Sequence, residues 1–408
     1  MSHAARSLIF LTLPACIAMA GSLSSHPPIV IQQDADFTSC QCVTSGAGTT
    51  ADPFVIGPWA INKLNGTGVL IDGAKLTRSF VILNVTIAGN GANTSTGIVL
   101  RNINTSGGAP IVAGVSGVQT TIQSLNIGIQ VANSNSVTLD GGGANPNGPG
   151  ISHAAGTINH NFNGAVDIEN SSNITVRGWQ FSSNGQDQNP DWISLDPSLV
   201  HWGVGGVRFF GVTNSLIDHN AANNCTSISF ALFDSSHNNV SNNTADYPFT
   251  MNFMVADGSS YNSLAGNVAS TGDFIGYLVA DPLPGTATLA TYGPSHDNVL
   301  NGNISHTDGP TGTEIKNGVV PAFLGGFVVL NGTYNNQILN NQDWSSTGSG
   351  FAWAQAVLAP GPIGVASYPP ALHCNVTASE GGGGVANLNG NLWSGNIYAT
   401  IDPCLPPQ

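Results

Sequence analysis

Apolar residues in this chain come in short bursts separated by Asn, Ser and Gly rather than in long periodic stretches. Val69-Leu70-Ile71, Phe80-Val81-Ile82-Leu83-Asn84-Val85-Thr86-Ile87, Gly128-Ile129-Gln130-Val131, Ser136-Val137-Thr138-Leu139 and Ala165-Val166-Asp167-Ile168 are strand-length, β-branched and alternating, and each is closed by Gly or Asn. Sustained helical periodicity is hard to find, and Gly at 51 positions would penalise helices repeatedly. The pattern predicts a nearly all-β chain.

A second pattern overlies the first. Ser134-Asn135-Ser136-Val137, Ser172-Asn173-Ile174, Thr213-Asn214-Ser215-Leu216, His237-Asn238-Asn239-Val240, Tyr261-Asn262-Ser263-Leu264, His296-Asp297-Asn298-Val299-Leu300 and Tyr334-Asn335-Asn336-Gln337-Ile338 each set an Asn before an aliphatic segment. With Asn135, Asn173, Asn214, Asn239, Asn262, Asn298 and Asn336 as markers, successive gaps are 38, 41, 25, 23, 36 and 38 residues, the range of stacked repeats. A strand this short cannot bury its apolar face alone, so each repeat must stack on its neighbours. The predicted fold is an all-β, single-stranded, right-handed parallel β-helix, a solenoid with N- and C-terminal caps. Asn suits its corners because it tolerates left-handed turns and can form amide ladders between stacked coils.

The predicted organisation is a signal peptide at 1–20, an N-terminal cap at 21–60, the parallel β-helix at 61–345 and a C-terminal closing segment at 346–408. Arg6, the apolar run Leu8 to Leu13 and Ala18-Met19-Ala20 before Gly21 read as a secretory signal. Lipid anchoring at Cys16 is disfavoured by Pro14, and no other stretch is long and apolar enough to span a bilayer. The expected location is secreted or cell-surface, and the expected state monomeric. Five cysteines then remain. The ends of a long stack lie too far apart to be bridged, which leaves Cys374 with Cys404 as the expected disulfide. Cys40-Gln41-Cys42 reads as too short for a relaxed bridge, and Cys225 as a buried small hydrophobe. Unequal gaps predict inserted loops at Gly141 to His153, Ser183 to Val204, Ala280 to Ser295 and Thr307 to Pro321, able to line a groove.

Charged residues make up only 7% of the chain, and eight Lys plus Arg against 22 Asp plus Glu give a formal net charge of -14, which excludes a phosphate backbone as partner. A hydrophobic content of 41% set at intervals argues against disorder. The segment richest in chemistry runs from Asn173 to Asn243. Asp187, Asp191, Asp196 and Asp218 can supply carboxylate oxygens to Ca²⁺, while Trp179, Trp192 and Trp202 suit stacking on sugar rings.

Here Ser172-Asn173-Ile174-Thr175-Val176-Arg177, Leu216-Ile217-Asp218-His219-Asn220 and Asp234-Ser235-Ser236-His237-Asn238-Asn239-Val240-Ser241-Asn242-Asn243 resemble coil phrases of the pectate-lyase-like β-helix superfamily. The resemblance implies a polysaccharide partner. It places Asp218 and His219 next to a calcium groove, for which Asp187 and Asp191 are the further candidate ligands by their spacing, and Arg208 is the one candidate base near Asp218 in the sequence. A lyase of this kind abstracts a proton beside a uronate carboxylate while Ca²⁺ and basic side chains neutralise the substrate. Past the signal, however, the chain holds only Arg78, Arg101, Arg177, Arg208, Lys63, Lys75 and Lys316, and no Arg-x-Pro-x-x-Arg segment follows Asp218. A hydrolase would need opposed carboxylates, for which Asp191 and Asp196 are the candidates. The adjacent Asp pair and Gly-His-Gly phrase of polygalacturonases are both missing. The sequence therefore favours non-catalytic glycan binding or adhesion, with a Ca-dependent lyase or a glycoside hydrolase as the alternative and calcium as the one candidate cofactor.

Overall fold

A computed structural model describes residues 23–90, 94–105, 109–185, 204–225, 228–248, 251–271, 275–280, 293–306, 325–330, 333–344, 349–354, 387–388 and 390–396. The chain visits three sheets in rotation, named here A, B and C. One full coil runs through Ala221–Asn223 in sheet A, Ile228–Phe233 in sheet B and Asn239–Ser241 in sheet C. Each strand pairs in parallel with its counterparts one coil behind and one coil ahead. Among the described residues, sheets A and B have 11 strands each and sheet C has 13, with antiparallel strand pairs only at the two ends of sheet C and one isolated antiparallel bridge, Ala144 to Ile151. The protein is a right-handed parallel β-helix, the hand that strand twist imposes on parallel crossovers.

The corners explain why strands of three residues suffice. From His219 onward, each turn from sheet C to sheet A is a residue with positive φ followed by a buried Asn. The first positions are His219, Asn242, Gly266, Gly302, Asn340 and Gly395. After His219 the second positions are Asn220, Asn243, Asn267, Asn303, Asn341 and Asn396, which hydrogen-bond in sequence along the axis. Asn267 is representative. Its Oδ1 accepts from the backbone N and Nδ2 of Asn243, both at 3.0 Å, and its Nδ2 donates to the Val240 carbonyl at 2.8 Å and to Asn303 Oδ1 at 3.0 Å. A parallel ladder of Asn238, Asn262, Asn298, Asn336 and Asn391 secures the B-to-C corner.

The Asn phrase of the sequence merges two adjacent corner positions. Asn173 and Asn214 are the left-handed residues, whereas Asn262, Asn298 and Asn336 are the buried ladder residues one step later. In the coil of marker Asn239 the ladder member is Asn238 and Asn239 is exposed, and in that of marker Asn135 the left-handed residue is Ser136.

Inside the solenoid, large residues on one sheet face small ones on another. Phe230, Phe253, Tyr277 and Phe327 stack along the inner face of sheet B with ring centroids 5.1, 4.8 and 4.6 Å apart. Over the matching coils sheet A turns Ala222, Ala245, Ala269 and Ser305 inward, leaving room for the rings at interior packing density. Burying each ring stabilises the stack by roughly 2–3 kcal/mol.

The rungs extend past both expected boundaries. Ile29–Ile31 and Trp59–Leu64 already pair with coil strands, so the N-terminal cover reduces to the helix Asp36–Ser39 and the antiparallel pair Val43–Ser45 and Phe54–Ile56. Phe37 seals that end against Phe54 and Phe80. At the other end Ser349–Ala354 and Asn391–Ser394 still join sheets B and C. One disulfide expectation is corrected: Cys40 and Cys42 are bonded to each other. Gln41 takes a left-handed conformation, φ 57, and brings the two Cα atoms to 5.1 Å, within bridging range. Cys374, Cys404, Cys16 and the signal segment lie outside the described residues. Cys225 is fully buried, and burial pushes its thiol up to about 11.

Candidate functional site

Arg208 stands on the outer side of sheet B, in register with Asp167. Its Nε and Nη2 donate to the two Asp167 oxygens, each at 2.7 Å, and Nη2 also reaches Glu169 Oε1 at 2.9 Å. Asp167 is only 6% exposed. Burial, followed by the Asp167 charge, pushes the Glu169 carboxyl above its ordinary value, against the opposing pull of Arg208. A guanidinium locked by two carboxylates cannot serve as a free base. Asp218, moreover, belongs to sheet C. The expected pairing of Arg208 with Asp218 is therefore corrected, because the nine residues between them carry the chain from one sheet to the next.

Asp218 and His219 form the C-to-A corner. His219 takes φ 50 and sets Nδ1 2.6 Å from Asp218 Oδ2, while Asp218 Oδ1 accepts from Ser241 Oγ at 2.7 Å and Asn242 Nδ2 at 3.2 Å. Both carboxylate oxygens are engaged, Oδ2 by His219 of the same turn and Oδ1 by two successive residues of the next coil. Among the described residues no three His, Cys, Asp or Glu side chains converge as a metal site. Asp187, Asp191 and Asp196, with Trp192 and Trp202, lie outside the described residues.

Trp179 is a second correction. Strand alternation turns Trp179 and Phe181 inward and Gln180 outward, leaving the indole fully buried, where no sugar can stack on it. Its ring fills space vacated by Gly141 and Gly156. The neighbouring Gly178 is obligatory, since at φ 67 a Cβ would press on the backbone nitrogens of Gly143 and Ala144. That insertion lies along the corner, its Gly150 amide donating to the Asn242 carbonyl at 2.6 Å.

The exposed chemistry gathers instead on the corner between sheets B and C. Here His237, Tyr261, His296 and Tyr334 follow one another coil by coil. His237 stacks on Tyr261 at 5.1 Å, Tyr261 meets His296 edge to face at 5.7 Å, and His296 stacks on Tyr334 at 4.7 Å. Tyr261 remains 54% exposed and Tyr334 36%. The same corner carries Asp234, Asp257 and Asp297, one carboxylate on each of three successive coils. Burial, reinforced by the Asp234 charge, pushes Asp257 up to about 6, and burial raises Asp234 as well. Asp297 Oδ2 lies 2.7 Å from His296 Nδ1. The signal for this edge was present in the sequence, as a His or Tyr immediately before or within the Asn phrase. It is masked there by the neighbouring Asn residues, which the turn alone accounts for.

Among solved structures the chain is similar to the Dettilon tailspike protein, at 12% identity and TM-score 0.47 over 80% of this chain and 55% of that one. It is similar also to an alginate lyase from Paenibacillus sp. str. FPU-7, at 12% identity and TM-score 0.36 over 82% and 99% of the two chains. A third likeness is to the periplasmic alginate epimerase AlgG, at 11% identity and TM-score 0.33 over 82% and 73%. The chain thus spans little more than half of the tailspike's length. No family model matches the chain, and no curated protein is significantly similar to it. At these identities no activity transfers, and the β-helix assignment stands on the strand pairing described above.

Proposed function

We propose that this is a secreted polysaccharide-binding β-helix that holds a glycan chain along the exposed edge between sheets B and C. The observation that carries the reading is the ring ladder of His237, Tyr261, His296 and Tyr334, exposed at its two tyrosines and accompanied by carboxylates. Tyrosine and imidazole rings offer apolar surface for sugar C–H groups beside polar atoms for hydroxyls, and carboxylates are strong acceptors for those hydroxyls. Repeated at the coil spacing of ~4.8 Å, these groups suit a linear polymer better than a small ligand.

Binding is favoured over turnover. Asp167 and Glu169 are both tied to the one Arg208 guanidinium, whereas glycoside hydrolases keep their two carboxyl groups free to flank the scissile bond. The secreted location rests on the N-terminal residues of the sequence.

The test is affinity electrophoresis of the full chain through a panel of polysaccharides, with product analysis alongside. Retardation by at least one polysaccharide is expected, with Tyr261→Ala weakening it by about tenfold and leaving the melting temperature unchanged. Absence of retardation throughout the panel refutes the proposal, and release of unsaturated products or new reducing ends transfers the protein to the enzymes.

A further inference from the structure

Five Asn-Gly steps fall within the described residues: Asn65-Gly66, Asn147-Gly148, Asn163-Gly164, Asn184-Gly185 and Asn301-Gly302. Each carries latent chemistry, because a glycine nitrogen with no Cβ beside it can attack Cγ of the asparagine before it. The nitrogen gives its proton to water, the Cγ–Nδ2 bond breaks and Nδ2 leaves as ammonia, closing a cyclic imide. Water then opens the ring. Breaking the new Cγ–N bond yields aspartate, and breaking the bond from the main-chain carbonyl carbon to that nitrogen yields isoaspartate, whose backbone runs through Cγ. The balance is asparagine plus water to an acid plus ammonia, with no change of oxidation state.

The coils lock three of these steps. The Gly185 and Gly302 amides donate to the Asn161 and Leu339 carbonyls at 2.8 and 3.0 Å, and the Gly164 amide, at the head of a strand, donates to the Asn126 carbonyl at 3.4 Å. Asn184 is itself fully buried, its Oδ1 accepting from Asn161 Nδ2 at 2.9 Å and its Nδ2 donating to the Ile158 carbonyl at 2.8 Å. A nitrogen held in such a bond reaches Cγ only after the coil opens locally. Asn65 is intermediate, since its Oδ1 accepts from Asn90 Nδ2 on the next coil.

Asn147 is placed differently. It stands at the tip of the insertion that follows Gly141, whose two sides are fixed by the Gly143 amide on the Gly178 carbonyl at 3.0 Å and the Gly150 amide on the Asn242 carbonyl at 2.6 Å. Asn145 braces the tip from within. Its Oδ1 accepts from the Asn147 amide at 3.0 Å, and its Nδ2 donates to the Pro149 carbonyl at 3.1 Å. Asn147 is exposed, and among the described residues neither its side chain nor the Gly148 amide has a hydrogen-bond partner.

The geometry points to Asn147 as a self-modifying site, at which the folded chain converts its own amide into aspartate and isoaspartate with water as the only co-reactant. Each event adds one negative charge to a chain of formal net charge -14. The isoaspartate form also adds a methylene to the backbone of the anchored insertion.

The test is to age the full chain in mildly alkaline buffer, natively and in strong denaturant, and to map its peptides by mass spectrometry with isoaspartate scored separately. The comparison variant is Gly148→Ala. A Cβ at that position meets only Asn145 Nδ2, at 3.7 Å, an ordinary contact that leaves the fold intact. In the native chain Asn147 is expected to convert about tenfold or more faster than Asn163, Asn184 and Asn301, giving both acids, and Gly148→Ala to slow it by about tenfold. In denaturant the sites should converge on similar rates, which ties the selection to the fold. Native conversion of Asn163, Asn184 or Asn301 ahead of Asn147, aspartate without isoaspartate, an unchanged rate in Gly148→Ala, or a ranking that persists in denaturant each overturns the inference.

Discussion

At the scale of single residues, the chemistry of this surface is governed by which carboxylates have a partner. Asp257 has none among the described residues, and burial beside the Asp234 charge lifts it from 3.8 to about 6. Its folded value lies above the unfolded one, so the native state holds the extra proton between those two values. The stability tied to this group is complete below 3.8 and is lost as pH rises through about 6. Asp257→Asn removes that loss. Thermal melts at neutral pH should show the variant more stable by about 1 kcal/mol after allowance for solvent screening, with a flatter pH profile across the acidic range. A wild-type profile that stays flat there would contradict the assignment. Arg208 illustrates the opposite case, a cation whose two carboxylate partners are on hand. Replacing it with Met strands the buried Asp167 charge and should cost about 3 kcal/mol in urea unfolding, with recovery when Asp167→Asn is added. The sequence singles out Arg208 but not Asp257. It cannot tell partnered from unpartnered, because the neighbouring charges come from coils 41 and 23 residues away, Asp167 beside Arg208 and Asp234 beside Asp257.

At the scale of elements, the corner is the unit that holds the fold. Two residues set each turn, one with positive φ and one buried amide, and exchanging their roles by a single step moves an Asn from solvent to the ladder. Asn267→Ala removes the acceptor used by the Asn243 backbone and side chain and leaves the Val240 carbonyl without its donor. Chemical denaturation should register a loss of about 2–4 kcal/mol. Asn239→Ala, at an exposed marker position, should stay within about 0.5 kcal/mol of wild type. Equal effects from the two substitutions would deny the ladder its role. Trp179 shows the same one-step sensitivity: its place on the strand sends a ring suited to sugar stacking into the core.

At the scale of the whole molecule, the coils are near-equivalent modules, and the ladder residues Asn243 and Asn267 lie 24 residues apart. Deleting residues 243–266 joins Asn242 directly to Asn267 and preserves the corner pattern. Calorimetry should find one cooperative transition at a slightly lower temperature, and glycan affinity should fall because Asp257 and Tyr261 leave with the coil. A deletion a few residues out of register should not fold. The sequence by itself determined the all-β character, the stacked-repeat architecture and the acidity of the surface. These follow from local alternation, Asn and Gly at turns, and composition, all of which are properties of neighbouring residues. The tertiary structure alone decided that Arg208 and Asp218 belong to different sheets, that Cys40 and Cys42 join across one left-handed residue, and that His237, Tyr261, His296 and Tyr334 align into one exposed edge. Winding places residues from successive coils side by side, and inserted segments of unequal length hide that adjacency from any reading along the chain.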